Sequence, residues 1–319
     1  MKIRFGYVAN VLGLWDASPS KSFTFTNYSK LSKQERWEKL LFITAQNLKH
    51  TKRILHYNIA HEIELYRFSS LLVPLATHPE VMWDFITPPF KKDWQELGQL
   101  MEQYNIRPSF HPGQFTLFTS PKEHVTTSAV IDMEYHYKML EAMNAHDKGI
   151  INIHIGGAYG GDKKATLKRF HQNLKKLPPH IKKRMTLEND DRTYNVEETL
   201  HTCEKENIPM ILDFHHHLAN QSEQGLSHYL SRIFQSWGHS GNIPKVHLSS
   251  PKSEQAFRSH ADFVALDFVL PFFKMAKELN QDFDIMIEAK QKNLAMHALV
   301  EEISSIRGVK RISASSVEW

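Results

Sequence analysis

The chain has 319 residues, 41% hydrophobic and 23% charged, with a formal net charge of +4 when its histidines are neutral. That length suits one α/β barrel with a sizeable core. Mixed charge at this density excludes global disorder, and the small net charge is no signature of nucleic-acid binding. A lone cysteine, Cys203, excludes an intrachain disulfide framework and suits a reducing compartment. The start Met1–Tyr7 reads as a strand with no signal-peptide stretch, and no window approaches the ~20 apolar residues of a membrane span. The expectation is a cytoplasmic monomer with no membrane association and no obligate protein partner. The 20 histidines call for a chemical explanation.

Taken in order, strand-like runs fall near 3–9, 63–68, 107–111, 150–155, 185–188, 209–214, 245–248 and 284–288. Helical patterns lie between and after them, near 33–57, 91–104, 129–147, 163–176, 196–206, 224–237, 262–279 and 293–301. Eight alternating pairs predict a parallel sheet with crossover helices, closed as a single (β/α)8 TIM barrel over residues 1–319. The connections after the first, third and fourth strands carry the irregular sequence: an aromatic, basic stretch from Asn10 to Leu31, then His111–Phe118, then the glycine-rich Gly156–Lys163. Long βα connections are where such a barrel places its working residues.

Five apolar runs end on a metal-binding side chain: Ile150–His154, Met185–Glu188, Pro209–Asp213, Lys245–His247 and Asp284–Glu288. A sixth, Arg107–His111, does the same. Near-continuous apolar runs are the mark of buried parallel strands, and their C-terminal ends build the barrel's active site. The candidate ligands are these six, His111, His154, Glu188, Asp213, His247 and Glu288, together with His216, three residues after Asp213, and His260. Lys245 precedes His247 by two residues, so both point to one side of a strand. A single strand-end histidine is more often structural than ligating; six strands ending alike shift that balance. Five histidines with three carboxylates suit manganese, zinc or iron, and the absence of cysteine rules out a zinc-finger arrangement. Eight ligands exceed one ion and imply two or three sharing bridging carboxylates, the arrangement that activates water and neutralises phosphate.

Together these segments resemble the UV damage endonuclease family, metal-dependent repair nucleases on a barrel of the apurinic endonuclease and xylose isomerase type. The matching pieces are Gly6-Tyr7 with Asn10, Phe110-His111-Pro112-Gly113-Gln114-Phe115, His154–Gly160, Leu187–Arg192, Asp213–His217, Lys245–Ser250, Ser259–Asp262 and Ile287–Lys290. The resemblance implies hydrolysis of damaged double-stranded DNA on the 5′ side of cyclobutane pyrimidine dimers, 6-4 photoproducts and abasic sites. It implies the metal ligands named above together with Lys245, carboxylated and bridging; the ordinary alternative for Lys245 is an ammonium that contacts phosphate. Glu188, Lys245, His247 and Glu288 would carry the catalysis, with manganese first among the divalent ions and zinc or magnesium as alternatives. Gln114 and Phe115 match a pair that wedges into the duplex, with phenylalanine where other members carry tyrosine. Tyr7, Asn10, Tyr159 and Lys163 complete the expected substrate contacts. Two rival readings are a metal-dependent sugar isomerase on the same barrel and a damage-binding module with a purely structural metal site.

Overall fold

The computed structural model describes residues 1–86 and 88–319. Eight strands pair side by side in parallel: β1 (Lys2–Val8), β2 (Leu65–Arg67), β3 (Arg107–Phe110), β4 (Ile150–His154), β5 (Met185–Glu188), β6 (Met210–Asp213), β7 (Lys245–Leu248) and β8 (Phe283–Ile287). β1 pairs with both β8 and β2, so the sheet closes on itself. Helices α1 (Phe25–Ser29), α2 (Lys33–Ala60), α3 (Lys91–Gln103), α4 (Glu123–Ala142), α5 (Lys163–Leu174), α6 (Pro179–Lys182), α7 (Val196–Glu206), α8 (Phe214–Ala219), α9 (Ser227–Gln235), α10 (Leu266–Leu279) and α11 (Lys292–Ser304) occupy the connections and wrap the outside. This is the expected (β/α)8 barrel.

Helix starts follow local capping. Ser32 and Glu35 form a reciprocal capping box that opens α2, Asn195 and Glu198 do the same for α7, and Asp162 caps α5. α4 departs from expectation, starting at Glu123 rather than near 129 and ending at Ala142 rather than 147. Its first two turns hold Thr126, Thr127 and Ser128, poor helix formers by propensity, but buried Thr126 docks it. Asn144, with φ 50°, then turns the chain out of the helix.

Strand parity fixes what faces the axis. Ile3, Phe5 and Tyr7 are fully buried between sheet and helices, so Arg4 and Gly6 face inward. A Cβ at Gly6 would lie 2.4 Å from the Leu65 carbonyl oxygen, so only glycine lets β1 and β2 approach here. β1 meets β2 only at Tyr7 and Val8. Its lower half is taken instead by an unpredicted antiparallel hairpin, β9 (Lys310–Ser313) and β10 (Ser316–Glu318), through Lys2↔Glu318, Ile3↔Val317 and Arg4↔Ser316.

The floor of the barrel is ionic. Asp284, fully buried, accepts from Arg4 Nε and Nη2 at 2.8 and 3.0 Å and from Arg107 Nη1 at 2.6 Å. Arg107 also lies over the Trp237 ring, 5.3 Å from its centroid. Removing one partner of a buried ion group strands the others without water. Asp284→Asn is therefore expected to cost about 3–5 kcal/mol, read as a lower midpoint in urea unfolding; an unchanged midpoint would show that the ionic floor does not hold the fold.

Candidate metal centre

The β-ladder places the candidate ligands in one layer at the C-terminal rim. His154 stands beside Glu188 across β4–β5, and Asp213 beside His247 across β6–β7. Glu288 follows the last residue of β8, and its backbone N–H is held by the Leu248 carbonyl. Asp213 both ends β6 and caps α8, one carboxylate oxygen accepting from the His216 backbone N–H at 2.7 Å. That cap explains the three-residue spacing: it turns the chain so that His216 faces back toward the axis.

Three groups of side chains have potential ligand atoms within 4.8 Å of one another: His111, His154 and Glu188; Glu188, Asp213 and His216; Glu188, His247 and Glu288. Glu188 belongs to all three. Its carboxylate is almost wholly buried, 3.2 Å from His111 Nε2 and 3.1 Å from His247 Nδ1. The rings are oriented from behind. His111 Nδ1 donates to the Pro112 carbonyl at 3.0 Å, and His216 Nδ1 to the Asn189 carbonyl at 3.1 Å. Thr186 donates to Asn152 Oδ1, which fixes the Asn152 amide so that its nitrogen donates to Glu188. Glu188 Oε1, Asp213 Oδ2 and His154 Nδ1 are buried without a hydrogen-bond partner. Buried polar atoms are normally satisfied, so orphaned oxygens and an orphaned imidazole nitrogen at one point fit a site for divalent cations.

The charge states agree with that reading. Burial opposes ionisation of Glu188, but His247, His154 and His111 outweigh it and hold its carboxyl well below the usual range. Burial raises Asp213 to about 6, and neighbouring Glu188 and Glu288 add to the effect while His216 opposes it. For His216 burial disfavours the imidazolium, yet Asp213, Glu188 and Glu288 prevail and raise it to about 9. Burial works against the Glu288 carboxylate too, and Arg67 and His247 lower it nonetheless.

Arg67 is the residue that strand-end reading missed. It ends β2, donates to Glu288 Oε1 at 2.5 Å and to His247 Nε2 at 2.6 Å, and is buried. The signal is there in the chain, since Arg67 closes a strand like the others, but a guanidinium is not a ligand and falls outside a search for metal-binding side chains. Arg67 can only donate, which puts the proton of a neutral His247 on Nδ1 in the metal-free site; a metal ion at Nδ1 would require that proton to leave and Arg67 to give up Nε2.

Seven expected ligands thus converge: His111, His154, Glu188, Asp213, His216, His247 and Glu288. His260 does not join any described group; it is half-buried, its ring 5.7 Å from His215 and 6.3 Å from His216. Lys245 points into the barrel two residues below His247, with its Nζ buried and free of hydrogen bonds. Tyr7 is a correction. Strand parity turns it outward, where its hydroxyl donates to Asn58 at 2.5 Å and its ring packs on Tyr66, so it cannot meet a substrate at the mouth. Asn10 sits half-buried where β1 opens. Gln114 and Phe115 project from the loop after β3, Phe115 with 78% of its surface exposed. Tyr159 lies partly exposed with the Arg169 guanidinium 5.9 Å from its ring centroid, and Lys163 is held by both carboxylate oxygens of Glu198 at 2.9 Å. Asp190 proves to be a loop builder, accepting from the backbone N–H groups of Arg192, Thr193 and Tyr194.

Known proteins share this arrangement of the chain. The crystal structure of SacUVDE superposes with a TM-score of 0.81 at 30% identity, over 95% of this chain and all of that one. Endonuclease IV from Thermus thermophilus, at 12% identity, has a TM-score of 0.53 over 89% of this chain and 92% of its own, a likeness of fold alone. A UV DNA damage endonuclease of Bacillus cereus (strain 03BB102) is 58% identical over the full length of both chains. The family model for UV-endonuclease UvdE matches residues 3–319, which take in the barrel from the second residue of β1 onward and all seven converging candidate ligands. With end-to-end identity at that level beneath a shared barrel, the chain belongs to the UV-endonuclease UvdE family.

Proposed function

We propose that this enzyme is a single catalytic domain that incises damaged double-stranded DNA immediately 5′ to cyclobutane pyrimidine dimers, 6-4 photoproducts and abasic sites. The observation that carries the reading is Glu188, one buried carboxylate common to three ligand groups. We assign the ions to His111, His154, Glu188, Asp213, His216, His247 and Glu288, two or three in number, with manganese first. Bound divalent ions supply a hydroxide at neutral pH and neutralise charge on the phosphate and the leaving oxygen. The sugar-isomerase and binding-module readings lose ground to the family match, which is to endonucleases over the whole barrel.

The chain's own residues do the positioning. Arg67 keeps His247 and Glu288 in place. Gln114 and Phe115 stand out from the rim, suited to enter a distorted duplex, where an aromatic face stacks on exposed bases. Asn10 lines the mouth from the opposite side of β2, and Tyr159 with Lys163 borders it beyond β4. Lys245 lies among cations. Burial, with Arg107, Arg67 and Arg4 nearby, lowers its affinity for a proton far below the ordinary value despite Asp284. A neutral amine is the form that adds carbon dioxide, releasing a proton to give a carbamate anion. That anion adds a negative charge beneath the ligand layer and matches the surplus of arginines.

Three measurements test this. A duplex carrying one thymine dimer, incubated with manganese-loaded protein, is expected to yield one nick immediately 5′ to the dimer and none in the undamaged control. Gln114→Ala/Phe115→Ala is expected to lower that selectivity by about tenfold or more, as loss of base stacking implies, with metal content retained. Lesion-independent or absent nicking by the wild-type protein refutes the assignment. After equilibration with 13C-bicarbonate, a carbamate resonance that vanishes in Lys245→Ala supports carboxylation, and its absence leaves Lys245 an amine. Because His216 in the metal-free protein holds its proton up to about pH 9, a metal ion must compete with that proton. Manganese affinity, measured by calorimetry under argon, is therefore expected to climb from neutral pH through about 9 and level off above. A flat profile across that window would remove His216 from the ligand set.

A further inference from the structure

The loop between β1 and α1 lacks regular structure yet is pinned at many points. Asn47, His50 and Arg53 form one stripe of α2, at i, i+3 and i+6. Asn47 exchanges two 2.9 Å hydrogen bonds with the Lys21 backbone, and His50 Nδ1 donates to the Ser18 carbonyl at 2.8 Å. The Arg53 guanidinium donates to the carbonyls of Trp15 and Asp16 at 2.8 and 2.7 Å, which holds Asp16 in the left-handed region at φ 44°. From the other side Asn293 of α11 accepts from the Leu12 N–H at 2.9 Å. An untethered loop would fold its indole onto the nearest apolar surface. Here the clamps present Trp15 to solvent with 88% of its surface exposed; Leu12, three residues earlier, is 46% exposed, and Leu294, next to its anchor Asn293, is 43% exposed.

This turn adjoins the ligand cluster. The Ala9 N–H donates to the carbonyl of Arg67, whose guanidinium reaches Glu288 and His247. A rigid aromatic on the loop after β1 stands two strands away in the ring from the loop that bears Gln114 and Phe115. Exposed apolar patches of this kind mark contact sites, and an indole offers a sequence-tolerant face for nucleotides.

We propose that Trp15 is a second stacking platform for substrate DNA, packing on a nucleotide of the duplex flank while Gln114 and Phe115 engage the lesion. The proposal rests on the reading of the site as a damaged-DNA endonuclease. The test compares wild type, Trp15→Ala and Trp15→Phe on a duplex with one thymine dimer, by steady-state nicking, by fluorescence anisotropy and by quenching of tryptophan emission. For Trp15→Ala, KM and the dissociation constant are expected to rise about tenfold, the scale of one lost base–aromatic stack, with kcat falling far less. Trp15→Phe is expected to recover most of the affinity, and emission quenching on DNA addition to shrink in both variants. Wild-type KM and affinity in Trp15→Ala overturn the platform. Wild-type protein that binds the duplex without nicking it overturns the endonuclease reading alone; affinity of the two variants then decides Trp15. Wild-type protein that neither binds nor nicks overturns both.

Discussion

A carboxylate without access to water is the constraint around which this barrel is arranged. Glu188 ends β5 almost wholly buried, and an isolated charge there would be prohibitive. Its neighbours answer that demand in turn: His111 and His247 at its oxygens, Asn152 donating from β4, and Thr186 fixing Asn152 from behind. One oxygen nevertheless stays without a hydrogen bond. The residues that make Glu188 tolerable are the residues that complete a cation site. Folding and function therefore share the same contacts.

Charge is layered along the barrel axis. The floor holds Arg4 and Arg107 against Asp284, with Glu64 at the edge. The mouth holds Glu188, Asp213 and Glu288 among histidines, with Arg67 linking the β2 and β8 sides. Cations at the floor favour anions at the mouth, and in a medium of low polarity such attractions reach far.

Much of this was legible in the sequence because two periodicities coincide. Apolar strand runs locate the sheet, and their last residues locate the rim, so His111, His154, Glu188, Asp213, His247 and Glu288 were found without geometry. His216 was listed with them, three residues after Asp213, and the cap on α8 supplies the reason for that spacing. What escaped needed information that spacing does not hold. Tyr7 was misplaced because a lone Gly-Tyr pair does not reveal which residue faces inward; the closeness of the Leu65 backbone decides it. The placing of His260, a proposed ligand outside those tight groups, depends on a bend whose direction follows its bridge to Pro251. The β9–β10 hairpin is too short and too exposed to leave a pattern, and α4 began early because packing of Thr126 overrode propensity.

The hairpin has a bearing on how the chain reaches its shape. β1 precedes the other barrel strands in the chain, yet its partners along the lower half are β8 and β10, and Arg4 finds Asp284 some 280 residues later. Until those segments exist, an apolar strand carrying Ile3, Phe5 and Tyr7 has an open flank, and unpaired strand edges invite association with other chains. Ring closure therefore waits for β8 and β10, and until they pair the flank of β1 is the edge that this fold has to keep from other chains.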